Sequence, residues 1–327
     1  MTRIDSGILA ELGDDFTVRK IPCTDAYFSA ALHKALGWSA PTARETAETR
    51  TGEFVADCRQ RGLSYDLLFA AVRGCDLLGA CLGMESPGRA VLLLFPTEYE
   101  SPAQRHATAA TVTAVRNEAW SKSNLLQQAL VPPNSCPASQ LLRSAGFRPL
   151  TRLVYLERSA RGLNPVVTCA AELEWVSYSP VVEPLFLAAI EASYAQSSDC
   201  PELTDLRPTT DVLAGHRAAG EFDPQLWWVA QRSGQPVGVV LLAGLSQQRA
   251  VEIAYMGVAP TARGTGVADA LLRRAIGAAD RSGARAVTLA VDRRNERALH
   301  VYRRWGFSVY AERDAWIATN GGADSYA

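Results

Sequence analysis

The sequence predicts an α/β (α+β) protein made of two similar domains. The first observation is length, since 327 residues with 48% apolar content exceed the roughly 100 to 200 residues of a typical domain. The second is an internal repeat. "RAVLLLFP" begins at Arg89 and "RAVEIAYM" at Arg249, while "LLRSAGF" ends at Phe147 and "VYRRWGF" at Phe307. Both differences, 249 − 89 and 307 − 147, equal 160 residues, which indicates two copies in one register.

Each copy has the same predicted order of elements between these anchors. An apolar strand is followed by a helix, a second apolar strand ("LLQQALV" and "AVTLAV"), a short helix that closes on Gly-Phe, and a last strand. Polar residues with Gly162 and Pro165 interrupt the pattern at 158–167. We therefore expect domains at 1–160 and 161–320, followed by a flexible tail at 321–327.

Composition argues against several function classes. The formal charge of −1, from 33 basic and 34 acidic residues, gives no overall field that would attract nucleic acid or an anionic membrane. No apolar run approaches the roughly 20 residues of a membrane-spanning helix, and the N-terminus lacks a signal-peptide core. The seven cysteines have no metal-ligand or disulfide spacing. We expect a cytoplasmic protein with reduced thiols and no metal, and the sequence leaves its oligomeric state open.

The second copy contains a glycine-rich junction between a strand and a helix. "AVEIAYMGV" is apolar on both faces, and "VADALLRRAIGAAD" places Val267 and Leu271 on one helical face. Gly264 and Gly266 remove side chains at the helix start, where unpaired amides and the positive end of the dipole favour a phosphate. Arg263 would add a fork of charge-assisted donors. The junction therefore predicts a pyrophosphate site.

Two other phosphate-binding motifs fit this junction less well. A P-loop needs Lys followed by Ser or Thr after its last glycine, and neither is present. A dinucleotide-binding oxidoreductase stays a remote alternative, because a helix, a strand and Asp292 follow the glycines. However, Asp269 occupies the third glycine position of that fingerprint, and four residues including Pro260 separate the strand end from Arg263. The oxidoreductase fingerprint turns more tightly from strand to helix.

Two motifs of the second copy resemble one known family. "RGTGVA" at 263–268 is similar to the Gln/Arg-x-x-Gly-x-Gly/Ala signature of the GNAT superfamily of acetyl-CoA-dependent N-acetyltransferases, and "LAVDRRNERALHVYRRWGF" resembles its second signature. The motifs occur at the family's usual separation. The resemblance implies two GNAT-like domains, each a mixed, mostly antiparallel central sheet flanked by helices, with a degenerate N-terminal half that has no cofactor site.

The resemblance also implies roles for individual residues. Amides of 264–268 would bind the pyrophosphate of acetyl-CoA, the backbone around Met256 and Val258 would bind its pantetheine arm beside a splayed strand, and Asn295 would contact the same arm. Tyr302 would protonate the departing thiolate. The residues expected to bind acetyl-CoA are Met256, Val258, Arg263, Gly264, Thr265, Gly266, Val267, Ala268 and Asn295.

The spacing around Tyr302 supports this interpretation independently. Asn295, Ala298 and Tyr302 are at i, i+3 and i+7, so they share one helix face, and the small Ala298 leaves space for a ligand. A simple packing stripe is the alternative, since tyrosines are often buried. A phenol with an unperturbed pKa of about 10 is able to protonate a thiolate of about 8.5 without being ionised at neutral pH.

Glu252 is the only charged residue within "AVEIAYMG". A buried carboxylate is costly unless its pKa rises or it has a partner. A general base acting through water is one explanation, because an amine with a pKa of about 10.4 is protonated at pH 7. Some GNAT members, including histone acetyltransferases, have Glu eleven residues before the first motif, and here 263 − 252 is also 11. A structural ion pair or a solvent-facing strand end are the alternatives.

The first copy lacks the residues of the predicted site. Subtracting 160 from Glu252, Arg263, Gly264, Gly266 and Tyr302 gives Leu92, Ala103, Gln104, His106 and Leu142. His106 would block backbone contact with a phosphate, and a lone histidine near a helix start is more typical of packing than of catalysis. We expect this half to serve as a scaffold or as a wall of the acceptor cleft.

The acceptor is expected near "SSDCPELTDLRP", residues 197–208. Asp199, Glu202 and Asp205 would hold a cationic amine or form a solvated acidic loop. Cys200 would accept an acetyl group only if it is not an inert buried thiol. Further candidates for the lining are His216, Trp227 and Trp228.

The sequence thus predicts an N-acetyltransferase that moves an acetyl group from acetyl-CoA to a primary amine of a small molecule or peptide by direct attack. The alternative is a non-catalytic module that holds CoA or acyl-CoA as a sensor or scaffold. A sensor needs the glycine junction but not the proton-transfer groups Glu252 and Tyr302.

Overall fold

A computed structural model describes residues 16–38, 46–162 and 172–319. Its strands are β1 (Thr17–Lys20), β2 (Ser64–Arg73), β3 (Asp76–Ser86), β4 (Ala90–Leu94), β5 (Leu126–Val131), β6 (Arg148–Ser159), β7 (Glu174–Ser177), β8 (Trp227–Arg232), β9 (Gln235–Leu245), β10 (Ala250–Val258), β11 (Ala286–Asp292) and β12 (Ser308–Thr319). Its α-helices are α1 (Phe28–Leu36), α2 (Ala47–Gln60), α3 (Pro102–Ser121), α4 (Cys136–Ser144), α5 (Glu183–Tyr194), α6 (Thr209–Arg217), α7 (Val267–Arg281) and α8 (Glu296–Arg304).

The strands form one continuous sheet in the order β1-β2-β3-β4-β5-β12-β6-β11-β10-β9-β8-β7. Neighbours are antiparallel except for two parallel pairs, β4 with β5 and β10 with β11. Each parallel pair is joined by a long helix, α3 or α7, as a parallel connection requires. The prediction of a mixed, mostly antiparallel sheet flanked by helices is therefore confirmed.

The last strands of the two halves are exchanged. β6 precedes residue 160, yet it pairs with β11 from Ser159↔Ala286 to Leu153↔Asp292. β12 in turn pairs with β5 and with β6. The two separate sheets that the sequence suggested are thus joined into one, because the last strand of each half covers the open edge left by the fifth strand of the other. The division at residue 160 stays a prediction about domains, and the sheet crosses it.

Equivalent elements of the two halves keep the offset of 160 residues. α4 and α8 cover 136–144 and 296–304, and β6 and β12 cover 148–159 and 308–319. The parallel strand pairs begin at Ala90↔Leu126 and Ala250↔Ala286, again 160 residues apart. The two halves therefore repeat the same order of elements around the centre of the sheet.

Alternating side chains of the strands pack against helices on opposite faces of the sheet. In the second half, Val240 belongs to one buried cluster with Leu271 of α7, while Val239 belongs to another with Phe186 of α5. Period-two alternation along a strand produces this division. α7 and α8 therefore cover one face of the second half, and α5 and α6 cover the other.

Trp227 and Trp228 belong to these cores. Their residues are 1% and 4% exposed, and they lie in the clusters on opposite faces. The indole nitrogen of Trp227 donates to the carbonyl of Leu242 at 2.9 Å. These tryptophans stabilise the sheet, and the suggestion that they line the acceptor site is wrong.

Several other expectations concern the chain as a whole. Among the helices described, none is long and apolar enough to span a membrane. The same residues contain no group of three or more His, Cys, Asp and Glu side chains arranged to hold a metal ion. Six cysteines of the described ranges are free thiols. Cys169, Pro165 and the tail at 321–327 lie outside those ranges.

Candidate functional site

The splay expected between two strands lies between β10 and β11. These parallel strands pair over only three residues, ending at Glu252↔Thr288, although β10 continues to Val258. A β-bulge between Ile253 and Tyr255 changes the course of β10 immediately after the pairing ends. The later part of β10 therefore has backbone groups on one edge that β11 does not use.

A cavity of about 380 Å³ lies beside this splay. The end of β10, the glycine junction, α8 and the segment that follows α5 form its walls. The predicted site residues that line it are Met256, Val258, Arg263, Gly264, Gly266, Ala268, Asn295 and Tyr302. Three other predicted residues, Glu252, Thr265 and Val267, are not among its lining residues.

The glycine junction has the backbone geometry of an anion site. Gly264 and Gly266 have φ values of 77° and 84°, which residues with a Cβ rarely adopt. A Cβ on Gly264 would meet no atom within 4 Å, so the space beside it is open. Gly266 is the N-cap of α7 and no side chain caps this helix. The amides of its first turn therefore lack an acceptor inside the helix, and they lie at the cavity wall.

The sequence predicts that the guanidinium of Arg263 donates hydrogen bonds to a phosphate, but in the structure this group bonds backbone carbonyls. Its Nη1 donates to the carbonyl of Gln196 at 3.0 Å, and its Nη2 donates to those of Ser193 at 3.1 Å and Ala195 at 2.7 Å. Its Nε donates to Val258 at 3.2 Å. The last carbonyls of a helix lack intrahelical partners and attract cations. The guanidinium therefore ties the glycine junction to the end of α5, and that expectation is corrected.

The stripe of small and polar residues along α8 faces the cavity as predicted. Asn295, Ala298 and Tyr302 all line it. Asn295 is also the N-cap of α8, because its Oδ1 accepts the amide of Ala298 at 3.2 Å. The side-chain nitrogen of Asn295 is thus the group left to donate to a ligand.

Tyr302 is a buried residue whose hydroxyl has no hydrogen-bond partner among the described residues. The residue is 6% exposed, and its ring packs edge-on against Phe307 with the centroids 5.7 Å apart. Within the ranges that the structure describes, no group forms a hydrogen bond with this hydroxyl. Burial, together with the charge of Asp199, raises the pKa of Tyr302. The phenol is therefore protonated at neutral pH and is a proton donor that no described residue engages.

Glu252 is half-buried on the opposite face of β10 from Val251 and Ile253, which pack under α7. Burial raises the pKa of its carboxyl group, and Arg61 opposes the rise. In the described part of the chain no cation forms an ion pair with it. Burial and then the charge of Glu252 raise the pKa of Tyr155. Glu252 thus lies near the exchanged strands rather than in the cavity with Tyr302, and its role as a base stays a prediction.

The N-terminal half contacts the C-terminal half on the same side as Glu252. Arg61, which follows α2, donates from Nε to the carbonyl of Ala218 and from Nη2 to that of Ala219, both at 3.0 Å. Arg207 donates to the carbonyl of Gly88 in the β3–β4 turn at 2.7 Å. These contacts hold α6 against the first half, and the role of that half as a wall of the acceptor cleft stays a prediction.

The three acidic residues after α5 have different environments. Asp199 lines the cavity, and its Oδ1 accepts the amide of Asp292 at 2.9 Å. Glu202 forms a two-point ion pair with Arg294, with distances of 2.6 and 2.9 Å. Asp205 is exposed, with a φ of 64°. Among these acids, only Asp199 is therefore at the cavity.

Asp292 organises this segment, a role that sequence reasoning missed. The residue is fully buried and accepts hydrogen bonds from Thr151 at 2.7 Å, from the Cys200 amide at 3.1 Å and from Arg294 at 2.7 Å. Burial opposes its ionisation, but these bonds outweigh that effect and hold the pKa of Asp292 below its usual value. The available signal was a single acid at the end of the apolar strand "VTLAVD".

Tyr255 is a second residue that sequence reasoning missed. It lines the cavity, and its hydroxyl lies 2.7 Å from that of Ser193. The ring of His216 lies 5.1 Å from the Tyr255 ring. Burial and the charge of Arg207 lower the pKa of His216 to about 4, so this histidine is neutral at pH 7 and supports the wall behind Tyr255.

Burial raises the pKa of the Cys200 thiol, which favours an inert thiol over an acetyl acceptor.

Comparison with known proteins agrees with this geometry. Residues 191–307 match the model of the acetyltransferase (GNAT) family. This part of the chain is therefore similar to the GNAT acetyltransferases in sequence. Mycothiol acetyltransferase of Mycolicibacterium paratuberculosis is 28% identical over 195 residues, which are 55% of this chain and 60% of that protein. The chain thus matches about three-fifths of the length of this curated relative.

Two solved structures resemble nearly the whole chain. A GCN5-related N-acetyltransferase from Sphaerobacter thermophilus has a TM-score of 0.63 at 18% identity and covers 94% of this chain and 96% of its own. A tandem GNAT protein from the clavulanic acid biosynthesis pathway has a TM-score of 0.53 at 13% identity. The match covers 95% of this chain and 100% of that protein. At these identities the likeness shows that the chain shares the GNAT fold.

Proposed function

We propose that this protein transfers an acetyl group from acetyl-CoA to a primary amine of a small molecule or peptide. One observation carries the proposal: the uncapped glycine junction and the unpartnered Tyr302 hydroxyl line the same cavity. A diphosphate site alone would suit many nucleotides. A proton donor beside it is specific to chemistry in which a leaving group must be protonated.

The chain offers acetyl-CoA three kinds of contact. The amides from Gly264 to Ala268 would hold its pyrophosphate at the positive end of α7. The free edge of β10 at Met256 and Val258 would pair with the amides of its pantetheine arm, and Asn295 would donate to the same arm. When bound, acetyl-CoA supplies an activated acetyl thioester. Arg263 and α5 hold the junction in place without using the phosphate site.

Tyr302 would deliver its proton to the sulfur atom that leaves the acetyl group. Its raised pKa makes it a weak acid. Burial disfavours a CoA thiolate in the cavity as much as it disfavours a Tyr302 phenolate. The free energy of proton transfer from the phenol to the thiolate therefore stays small. A buried tyrosine hydroxyl usually has a hydrogen-bond partner, and its absence here is expected of a group reserved for substrate. The name of the mycothiol acetyltransferase relative supports acetyl transfer.

The experiment measures binding and turnover separately. Titration calorimetry records acetyl-CoA affinity, and a thiol reagent records free CoA released in the presence of spermidine, glucosamine, L-lysine methyl ester or 2-phenylethylamine. We expect acetyl-CoA binding and amine-dependent thiol release. Binding without release from any amine would favour the sensor or scaffold alternative, and no binding would exclude both functions.

A further inference from the structure

We propose that the carboxylate of Asp199 binds the ammonium group of the acceptor, so that the acceptor is an amine that arrives as a cation. This inference rests on the proposed function, because it assigns the acceptor end of the same cavity. Three observations support this inference. They are the geometry of the segment after α5, the hydrogen-bond network that holds this segment, and the charged groups around the cavity.

Asp199 and Tyr302 line one cavity. Tyr302 is 6% exposed, and its hydroxyl has no hydrogen-bond partner in the described residues, which marks this part of the cavity as a place for a ligand rather than for protein packing. Asp199 uses its Oδ1 to accept the amide of Asp292. Its Oδ2 is therefore the oxygen available to an ammonium group.

The neighbouring cation does not neutralise Asp199. Arg294 forms ion pairs with Glu202 at 2.6 Å and with Asp292 at 2.7 Å. Within the described ranges no lysine, arginine or histidine forms an ion pair with Asp199. Arg294 is thus engaged by two carboxylates outside the cavity lining, and the carboxylate of Asp199, which does line the cavity, has no cationic partner among the described residues. Charge complementarity of this kind selects an oppositely charged ligand.

The same cavity also has groups suited to an anion. The uncapped start of α7 and Arg297 of α8 line it, and so does Arg304, which forms an ion pair with Asp269 of α7. Helix N-termini and guanidinium groups favour phosphate. The cavity therefore has amide and guanidinium groups for an anionic coenzyme and the Asp199 carboxylate for a cationic acceptor.

The Asp292 network explains why Asp199 is held at this position. Asp292 accepts the Cys200 amide and donates its own amide to Asp199. The two residues thus connect the segment after α5 to the end of β11 at adjacent positions, 199 and 200. Such paired contacts fix the carboxylate beside the splay and lower the entropic cost of binding an acceptor there.

The test compares Asp199→Asn with Glu202→Gln. Asparagine keeps an oxygen for the Asp292 amide but removes the charge, whereas Glu202 contributes to the same segment outside the cavity. For each amine of the panel that supports thiol release, we expect Asp199→Asn to raise KM by about 10- to 100-fold. Acetyl-CoA affinity and the melting temperature should stay close to wild type. Glu202→Gln should leave KM for the amine unchanged.

A second measurement isolates the charge. The alcohol analogue of each accepted amine, with hydroxyl in place of ammonium, serves as a competitive inhibitor. Wild type should bind the alcohol much more weakly than the amine, and Asp199→Asn should bind the two nearly equally. An unchanged KM in Asp199→Asn, or equal losses in both variants, overturns the inference while leaving acetyl transfer intact. Acetyl-CoA binding without turnover of any amine overturns the proposed function as well.

Discussion

The two halves differ most where a long helix follows the central strands. α7 begins at Val267, directly after Gly266, whereas α3 begins at Pro102. Adding 160 to 102 gives 262, so α3 begins five residues earlier in the repeat than α7. The side chain of Ser101 caps α3 by accepting the amide of Gln104 at 3.2 Å, and Pro102 suits the first turn. In the first half, helix therefore replaces the glycine junction.

This difference revises the role expected of His106. The residue lies inside α3 rather than at a helix start, and its ring packs edge-on against Phe16 with centroids 5.4 Å apart. The packing interpretation of His106 is thus favoured over catalysis. In the described part of the first half, helix occupies the positions that correspond to the glycine junction, so the two halves differ here in backbone as well as in the single side chain at His106.

The parallel strand pairs of the two halves also differ, and again the second half is the more open one. β4 has five residues and pairs with β5 over four of them, whereas β10 has nine residues and pairs with β11 over three. Leu142, which corresponds to Tyr302, is fully buried. The first half is closed by apolar packing where the second half is open. One fold therefore accommodates either a core or a cavity, depending on a few residues near the splay.

Tyr302→Phe gives the largest expected effect in this comparison, because it moves the site toward the apolar character of the first half. Turnover should fall by about 10² to 10⁴-fold, the usual contribution of a positioned proton donor. Acetyl-CoA affinity and stability should stay unchanged, since the hydroxyl bonds no group in the part of the chain that the structure describes. Thiol release and calorimetry measure the two quantities.

Tyr99→Phe is the matched control for this substitution. Tyr99 is a partly buried tyrosine of the first half whose hydroxyl donates to the carbonyl of Pro96 at 2.7 Å. Its loss should cost some stability and leave turnover unchanged. A parallel loss of acetyl-CoA affinity in Tyr302→Phe, or full turnover, would contradict the assignment of Tyr302.

Gly266→His copies the first half at the helix start. The left-handed φ of 84° costs a residue with a Cβ about 1 to 3 kcal/mol, and the imidazole would cover the amides of the first turn. Acetyl-CoA affinity, measured by calorimetry, should fall by at least about 100-fold, or 2.7 kcal/mol.

Gly283→His provides the control, because Gly283 has a similar φ of 76° and open space around its Cβ. This position lies just beyond the opposite end of α7. The variant should lose stability through backbone strain and keep its affinity for acetyl-CoA. Retained affinity in Gly266→His would exclude the glycine junction as the pyrophosphate site.

Glu252→Leu tests the residue that corresponds to Leu92. If Glu252 relays a proton from the acceptor through water, turnover at pH 7 should fall by about tenfold. The variant should be more stable than wild type near neutral pH. Burial raises the pKa of Glu252, so the folded state favours the neutral acid, and wild-type stability is lost as pH rises from the unfolded pKa through the raised folded pKa.

Urea unfolding between pH 4 and 8 measures this effect. The stability difference between Glu252→Leu and wild type should grow toward neutral pH and shrink toward pH 4. Glu252→Gln keeps the shape and removes the charge, and it should show the same loss of turnover. Undiminished turnover in both variants would show that Glu252 is not the base.

Thr151→Val has the smallest expected effect and tests the exchanged strand. Thr151 lies on β6 of the first half and donates to Oδ1 of Asp292 in the second. Losing this bond to a buried carboxylate should lower the free energy of unfolding by about 1 to 3 kcal/mol. Thr113→Val removes a hydroxyl that bonds a carbonyl of its own helix, and its unfolding free energy should change less. Equal values would show that the cross-half bond is unimportant.

The local parts of the site could be predicted from the sequence. Glycine spacing and helical periodicity are properties of adjacent residues, so the sequence could indicate that the glycine junction precedes a helix and that Asn295 and Tyr302 share a helix face, while their binding and catalytic roles stay predictions. The partners of individual side chains were harder to predict from the sequence. Arg263 carries a charge that suits either a phosphate or a helix C-terminus, and only the position of α5 distinguishes these two environments.

The sequence alone determined the repeated order of strands and helices, the mixed sheet and the uncapped helix start, because each depends on residues within one or two turns or strands. Tertiary structure decided the exchange of β6 and β12, since the last strand of either half has the alternating pattern to pair with both. It also separated Glu252 from Tyr302 and brought Asp199 to the cavity. Such neighbours come from distant parts of the chain, and only packing of the whole sheet brings them together.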